Sequence, residues 1–412
     1  MPTPNRLGPM GFVLGFGVVS MLADVVYEGA RAVIGPYLAT FGASAALVGL
    51  VTGLGEAAAL VSRIWTGPLA DRTHRYWSLS ITGYLVTVIA VPALAAAGTF
   101  WQSALAVVGE RFGKAVRTPA RDTMLAHAST VIGRGRAFAY HEALDQAGAL
   151  LGPLLVAGMV ALSGYRLGFA VLAIPGALAL VALALLRRAV PVPAAYEAGD
   201  AATAQNGGQE PALAFAGRRA GLSWHGFSRR FWLYATFTAL SVGGYATFAV
   251  LAYHLEVRHV VPAPIIPLLY AAAMGVDALT ALGFGRLYDR VGLRGLAVVP
   301  LLTAAVPFLS FSSHPLLVWA GTAIWGAAMG IHESTMRAAV ADLVPGTRRG
   351  SGYGTFGAIY GLAWLTGSTV IGALYSVALG AVDVLVVVLQ LAALVVLGVL
   401  LHSDSTHARD RA

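Results

Sequence analysis

Charge is scarce in this chain, so the charged residues inside its apolar stretches stand out. Asp24 and Glu28 lie one helical turn apart on one face, with Tyr27 beside them and Arg31 a further turn along. Glu56 sits near the middle of the following stretch. Glu110, Arg111, Lys114 and Arg117 share another, and His141, Glu142 and Asp145 share the one after it. An ionisable group at the centre of a bilayer costs about 3 kcal/mol on insertion scales, so such residues face a protein interior and usually mark a pathway. Two carboxylates as close as Asp24 and Glu28 do not both ionise easily, which suits one of them to taking up and releasing a proton. Asp24, Glu28, Glu56, Glu142 and Asp145 are the candidates for proton coupling. The alternative is a set of buried pairs, Glu28–Arg31 or Glu110–Lys114, that only fix helix packing.

The second half of the chain is poorer in carboxylates. It offers Asp277, then His332, Glu333 and Arg337. It is richer in aromatics, with Tyr245, Phe248, Tyr253, Tyr353, Phe356, Tyr360 and Trp364. Coupling is therefore expected mostly in the first half and substrate packing in the second, against the plain alternative that the aromatics pack helices. Candidates for the substrate cavity are Tyr27, Glu110, Arg111, Tyr245, His332, Glu333, Tyr360 and Trp364. His332 and Glu333 with Asp24 and Glu28 would make a nitrogen–oxygen set for a divalent ion. No close-spaced ligand motif supports it, and with no cysteine in the chain thiolate sites are excluded, so no metal site and no cofactor is expected.

Two charged segments repeat. Gly67-Pro68-Leu69-Ala70-Asp71-Arg72, followed by Arg75, returns as Gly285-Arg286-Leu287-Tyr288-Asp289-Arg290, followed by Arg294. Gly67 and Pro68 suggest a tight turn at a helix boundary. A second echo pairs Arg117 with Asp122, Arg121 lying between, and Arg337 with Asp342; each pair is read as closing a helix. Two echoes in register indicate a duplicated chain.

These residues need many membrane helices to position them. The chain has 412 residues, 58% hydrophobic and 11% charged, with a mean hydropathy of +0.74. The class is all-α and polytopic. About twelve helices fit, at roughly 20 apolar residues each: 10–37, 43–66, 77–97, 99–120, 136–162 and 167–188, then 231–254, 263–285, 294–312, 315–341, 349–376 and 381–401. The first is read as a membrane helix, because it continues into Asp24 and Arg31 without a convincing leader cleavage site. Residues 1–188 and 230–412 form two six-helix bundles, and the polar stretch 189–229 a mobile linker. Arginines gather in alternate loops, which puts both termini and the linker on the cytoplasmic side of the cell membrane. The net charge of +8 follows from this topology, so nucleic acid is not an expected partner. The expected partners are a small-molecule substrate, protons and the lipid bilayer, and the chain is expected to act as a monomer. No nucleotide-binding or metalloprotease motif points to an enzyme.

The repeated segments resemble the signature between helices 2 and 3 of the major facilitator superfamily and its weaker copy between helices 8 and 9. Gly113-Lys114-Ala115-Val116-Arg117-Thr118-Pro119-Ala120-Arg121-Asp122 is similar to a prokaryotic branch reading GKxxRxPxRD. Gly148, Gly152 and Pro153, with Gly158 beyond, resemble the helix 5 signature of the superfamily's drug:proton antiporters, with Ala157-Gly158 standing where a double glycine is usual. Val107 stands where many drug exporters have an arginine one turn before Arg111. The resemblance implies two pseudo-symmetric bundles, alternating access, and a cytoplasmic latch of Gly67, Asp71, Arg72, Arg75, Arg117, Arg121, Asp122, Asp289, Arg290, Arg294, Arg337 and Asp342. It implies a first helix lining the central cavity, and favours Asp24, which resembles the helix 1 acid of proton-driven exporters and would hold a partner arginine until protonated. It implies proton-coupled export, with proton-coupled uptake and divalent-metal export as alternatives, and a channel or lipid-handling protein further off.

Overall fold

The first apolar run does not form one helix. In the computed structural model, which describes residues 6–196, 227–345 and 348–409, α1 spans Pro9–Arg31 and α2 spans Ile34–Ala39. Proline is tolerated at the start of α1, where its missing N–H would have no partner. Val33, at φ −124° and ψ 2°, interrupts the helix. The first run of the second half is divided in the same way, into α9 (Arg229–Gly243) and α10 (Phe248–Val257).

The repeated charged segments lie inside helices. α3 (Ala45–Val61) starts at Ser44, whose hydroxyl accepts from the Leu47 amide at 3.3 Å, and α4 (Arg63–Thr73) follows it. Gly67 and Pro68 are therefore not the turn. The turn falls at His74, in the left-handed region at φ 52°. In the second half α11 runs from Ile265 to Val291 and stops at Gly292, φ 59°. Pro68 removes one ladder bond without ending the helix, and a charged helix end can stay helical at the water interface, since its side chains are solvated there. For the same reason α6 (Phe100–Ile132) carries on through Pro119, well past the expected end at Asp122.

α5 covers Tyr76–Ala93. α7 (Arg134–Val171) is broken at Ser163 and Gly164, the latter at φ 74°, so it holds the fifth crossing and the start of the sixth, which α8 (Ala173–Ala189) completes. α12 (Val298–Ser310), α13 (Pro315–Leu343), α14 (Arg349–Tyr375) and α15 (Leu379–Arg409) finish the second half. Among the described residues nine helices are long and apolar enough to cross a membrane. One of them, Gly135–Ala189, is two crossings joined at the kink, and α6 and α13 complete twelve. Most of the expected linker, residues 197–226, lies outside the described residues. Large apolar side chains such as Leu105, Ile174, Leu279, Leu316 and Val395 are exposed on the outside of the bundle, as a lipid-facing surface requires.

The two six-helix halves meet along α3 against α14, α7 against α11 and α2 against α10. Small residues make the contact close. A side-chain carbon on Gly35 would collide with the Ala249 carbonyl, one on Gly49 with the Ser368 carbonyl, and one on Gly372 with that of Ala45. Thr52 and Thr247 hydroxyls are 2.9 Å apart, and Tyr165 donates to Glu256 at 2.5 Å. Toward the α4 end the contact loosens: the nearest atom to a carbon placed on Gly354 belongs to Ile64, at 4.0 Å. The halves thus pack backbone to backbone at the α2–α10 end and more loosely toward the α4 end.

Candidate functional site

α1 brings its charged residues to the seam between the halves, and two charge clusters form around it. In the first, Arg31 lies 2.8 Å from Glu56 of α3 and 3.5 Å from Glu28. Arg111 of α6 lies 3.2 Å from the same Glu56 oxygen and 3.4 Å from Glu110. Glu28 also accepts a short hydrogen bond from Tyr270 of α11, which crosses from the second half. Burying these charges is tolerable only because each carboxylate touches a guanidinium. Arg31, Glu56, Arg111, Ile34, Val91, Leu94 and Phe248 line a small cavity of about 40 Å³.

The second cluster sits nearer the α4 end. Arg121 lies 3.0 Å from Asp122 and 3.5 Å from Asp145 of α7, with His141 3.6 Å from Asp145. Ser20 hydrogen-bonds to Tyr84 at 3.1 Å and accepts from Arg121 at 3.3 Å. Arg117 is buried, donating to Thr87 at 2.5 Å with its guanidinium 4.7 Å from the Tyr84 ring. Tyr27 joins the clusters. Lys114 donates to its hydroxyl at 2.7 Å and lies 4.0 Å from its ring centre, while Arg111 and Arg117 flank the ring at 5.4 and 5.8 Å. The expected Glu110–Lys114 pair does not form; Arg111 takes Glu110 and Lys114 takes Tyr27.

Asp24 lies between the clusters and is buried. Asp145, Lys114, Arg117 and Glu28 are its electrostatic neighbours. Among the described residues none of them bonds to it, and the expected partner arginine is absent, because the guanidiniums nearby are taken by Glu56, Glu110, Asp145 and Thr87. The glycines of α7 allow this burial. A carbon on Gly148 would meet Asp24 and the Met21 carbonyl, and one on Gly152 the Val25 carbonyl, so α1 and α7 touch backbone to backbone. Pro153, also in α7, follows this contact. Gly158 has open space around it and takes no part.

In the second half Tyr245, His332, Tyr360 and Trp364 do converge. Tyr245 is 6.0 Å from both His332 and Trp364, and Tyr360 is 6.2 Å from His332 and 5.6 Å from Trp364, ring centre to ring centre. Arg31 reaches across to within 5.8 Å of the Trp364 ring. Asp277 is buried, whereas Glu333 is exposed although first-half charges, Glu142, Lys114, Arg31 and Glu28, surround it. It faces solvent in the gap between the halves. Glu142 is exposed too, near Gln146 at 3.3 Å. Phe356 instead stacks on Tyr234 at 5.2 Å, a packing role, and Tyr353 is exposed.

The expected latch residues are not brought together. Asp71, Arg72 and Arg75 are exposed and, among the described residues, form no ion pair. Arg290 and Arg294 are exposed as well, and Asp342 accepts from Tyr288 at 3.3 Å. The side chains of Asp289 and Arg337 lie outside the described residues. Arg117 and Arg121 belong to the buried second cluster, because α6 continues as a helix at their level. No group of three or more His, Asp or Glu able to hold a metal occurs among the described residues. Sequence reasoning missed Ser20, Tyr84, Thr87 and Tyr270. Tyr84 and Tyr270 carried a visible signal, as tyrosines whose hydroxyl needs a partner inside an apolar run.

The Major Facilitator Superfamily profile matches residues 16–276 and 261–411. An uncharacterized protein of Mycobacterium tuberculosis is 48% identical over 397 residues, covering 96% of this chain and 94% of that protein. An uncharacterized MFS-type transporter of Methanocaldococcus jannaschii is 24% identical over 374 residues, 89% of this chain and 88% of that one. In fold, the crystal structure of a peptide transporter, POT, in complex with sulfate aligns with a TM-score of 0.74 at 17% identity, covering 98% of this chain and 97% of the other. The chain belongs to the Major Facilitator Superfamily, a multi-pass membrane transporter rather than an enzyme.

Proposed function

We propose that the chain is a proton-coupled secondary transporter that expels a small solute across the cytoplasmic membrane by alternating access, with Asp24 as the proton carrier. The observation that carries this reading is the contrast between Asp24 and its neighbours. Glu28, Glu56 and Glu110 each touch a guanidinium, whereas Asp24 is buried and, among the described residues, has no bonded cation. A buried carboxylate without an ion pair is one whose protonation shifts the balance between conformations. Lys114, bonded only to a neutral hydroxyl, is the cation best placed to swing to Asp24 when it ionises. With both termini cytoplasmic, as the arginine distribution argues, the α4 end faces the cytoplasm. The charged ends of α4 and α11 then meet as a latch in the opposite state. Export is favoured over uptake by the helix 5 resemblance at Gly148, Gly152 and Pro153. The bundles are residues 1–188 and 230–412, joined through 189–229.

The test is transport in proteoliposomes, using solutes that stabilise the purified protein against heat. Asp24→Asn should abolish accumulation driven by a pH gradient while downhill exchange persists. If the variant still moves solute against its gradient, Asp24 is structural, and Glu28, Glu56 or Asp145 inherits the role.

A further inference from the structure

Among the described residues, four buried polar atoms on three second-half helices have no hydrogen-bond partner: Asp277 Oδ1 on α11, His332 Nε2 on α13, and the Tyr360 hydroxyl and Trp364 Nε1 on α14. Buried polar groups are nearly always satisfied, so a convergent set of orphans calls for something that satisfies them. They do converge. The His332, Tyr360 and Trp364 rings adjoin one another around Tyr245, which lies within the electrostatic reach of Asp277 and Glu333. Asp277 follows Tyr270 by two helical turns, and Tyr270 reaches Glu28, so that face of α11 looks onto the first half. We propose that this wall binds a flat nitrogen heterocycle carrying both N–H donors and ring or carbonyl acceptors. The proposal rests on the transporter reading above and names its substrate class.

The donor and acceptor types decide the chemistry. An indole N–H only donates, so Trp364 needs an acceptor on the ligand, and the unpartnered Oδ1 of Asp277 accepts, so it is served by an N–H. Tyr360 and His332 serve either way. Tyr245 supplies the rigid back of the wall. It stacks on Trp325 at 5.2 Å and 15°, its hydroxyl donates to the Trp325 carbonyl at 2.6 Å, and the Trp325 indole donates to Ala246 at 3.0 Å. Flat ring faces held this way suit a flat ligand. A quaternary ammonium fits poorly, having no acceptor for Trp364 and meeting Arg31 at 5.8 Å from that ring. A sugar fits poorly as well, because the wall has no side-chain amide. The asparagines, Asn5 and Asn206, lie outside the described residues, and the described glutamines are engaged elsewhere, Gln102 with Gly98, Gln146 with Glu142 and Gln390 with Ser241.

The experiment is thermal unfolding and tryptophan fluorescence of the purified full-length protein with adenine, uracil and nicotinamide as probes, against tetraethylammonium, glucose and benzoate. At least one heterocycle should raise the unfolding midpoint while the other three compounds do not. Its apparent affinity should fall roughly tenfold or more in Trp364→Phe, which removes the indole N–H, and in Asp277→Leu, which removes both carboxylate oxygens at similar size. Tyr360→Phe, which keeps the ring, should weaken binding in the same direction. Unfolding of the unliganded variants shows that they are folded. Stabilisation by no heterocycle, equal stabilisation by tetraethylammonium or glucose, or undiminished binding in both Trp364→Phe and Asp277→Leu overturns the proposal. Binding that depends on this wall without pH-driven transport would sink the coupling reading and leave the site. Transport driven by pH with no heterocycle bound would do the reverse.

Discussion

Arg31 pairs with two carboxylates at once, Glu28 and Glu56, whereas Lys114 forms no ion pair among the described residues. That difference predicts unequal costs. Arg31→Met leaves two buried carboxylates short of their shared cation, and breaking buried pairs of this kind costs about 3–5 kcal/mol. Lys114→Met removes a charge whose bonded partner is the neutral Tyr27 hydroxyl, so its cost should be closer to that of one charge-assisted hydrogen bond, about 1.5–3 kcal/mol. Thermal unfolding in detergent compares the two, and a Lys114→Met protein as unstable as Arg31→Met would refute this apportioning. Part of the network was readable in the chain, since Glu28 and Arg31 stand at helical spacing. The rest was not. Arg31 and Glu56 are 25 residues apart and Glu28 and Tyr270 are 242 apart, so those pairs exist only once the helices have packed. Asp24 was legible as an unusual residue, but its lack of a partner depends on which arginines other carboxylates have already taken.

At the level of helices, α2 and α10 close one end through Gly35 and the Ala249 carbonyl. Gly35→Ala puts a methyl group into that backbone contact, and overpacking of this kind costs typically 1–3 kcal/mol. The cost falls only on the state in which the two helices touch, so the variant should populate the state open at this end about 10-fold more, or beyond. The chain has no cysteine, so Thr52→Cys, beside Thr247 at the seal, reports the change through an impermeant thiol reagent. Labelling from outside right-side-out cells should rise with Gly35→Ala, while Arg75→Cys should label only in inside-out vesicles. Unchanged Thr52→Cys labelling would remove the seal, and external labelling of Arg75→Cys would invert the topology. The helices themselves were legible because apolar runs of spanning length leave few alternatives. Their ends were less so. Polar composition marks where a helix leaves the bilayer, whereas α4 and α6 stop where the backbone turns, at His74 and Gly133. Pro68 looked like a boundary, yet it lies inside a helix.

Across the whole molecule a duplicated frame carries two different contents. Both halves break their first crossing and turn with positive φ after the charged segment, at His74 and at Gly292. The first half then fills its interior with paired charge, the second with aromatic rings around Asp277 and His332. The duplication was visible in the sequence, and so was this division, because charged and aromatic residue types show without a structure. What each wall faces was not visible, since it depends on the gap that opens at the α4 end. The isolation of Asp24 has an electrical consequence. If that carboxylate takes one proton across for each uncharged ring that travels the other way, every cycle moves one elementary charge through the bilayer. The membrane voltage then adds about 2.3 kcal/mol per 100 mV to the driving force. Proteoliposomes holding a potassium diffusion potential, with equal pH on both sides, should therefore still accumulate solute, and adding solute should evoke a current on a supported membrane. Confirmed transport without any current would mean that a compensating charge moves with each cycle, and that Asp24 does not act alone.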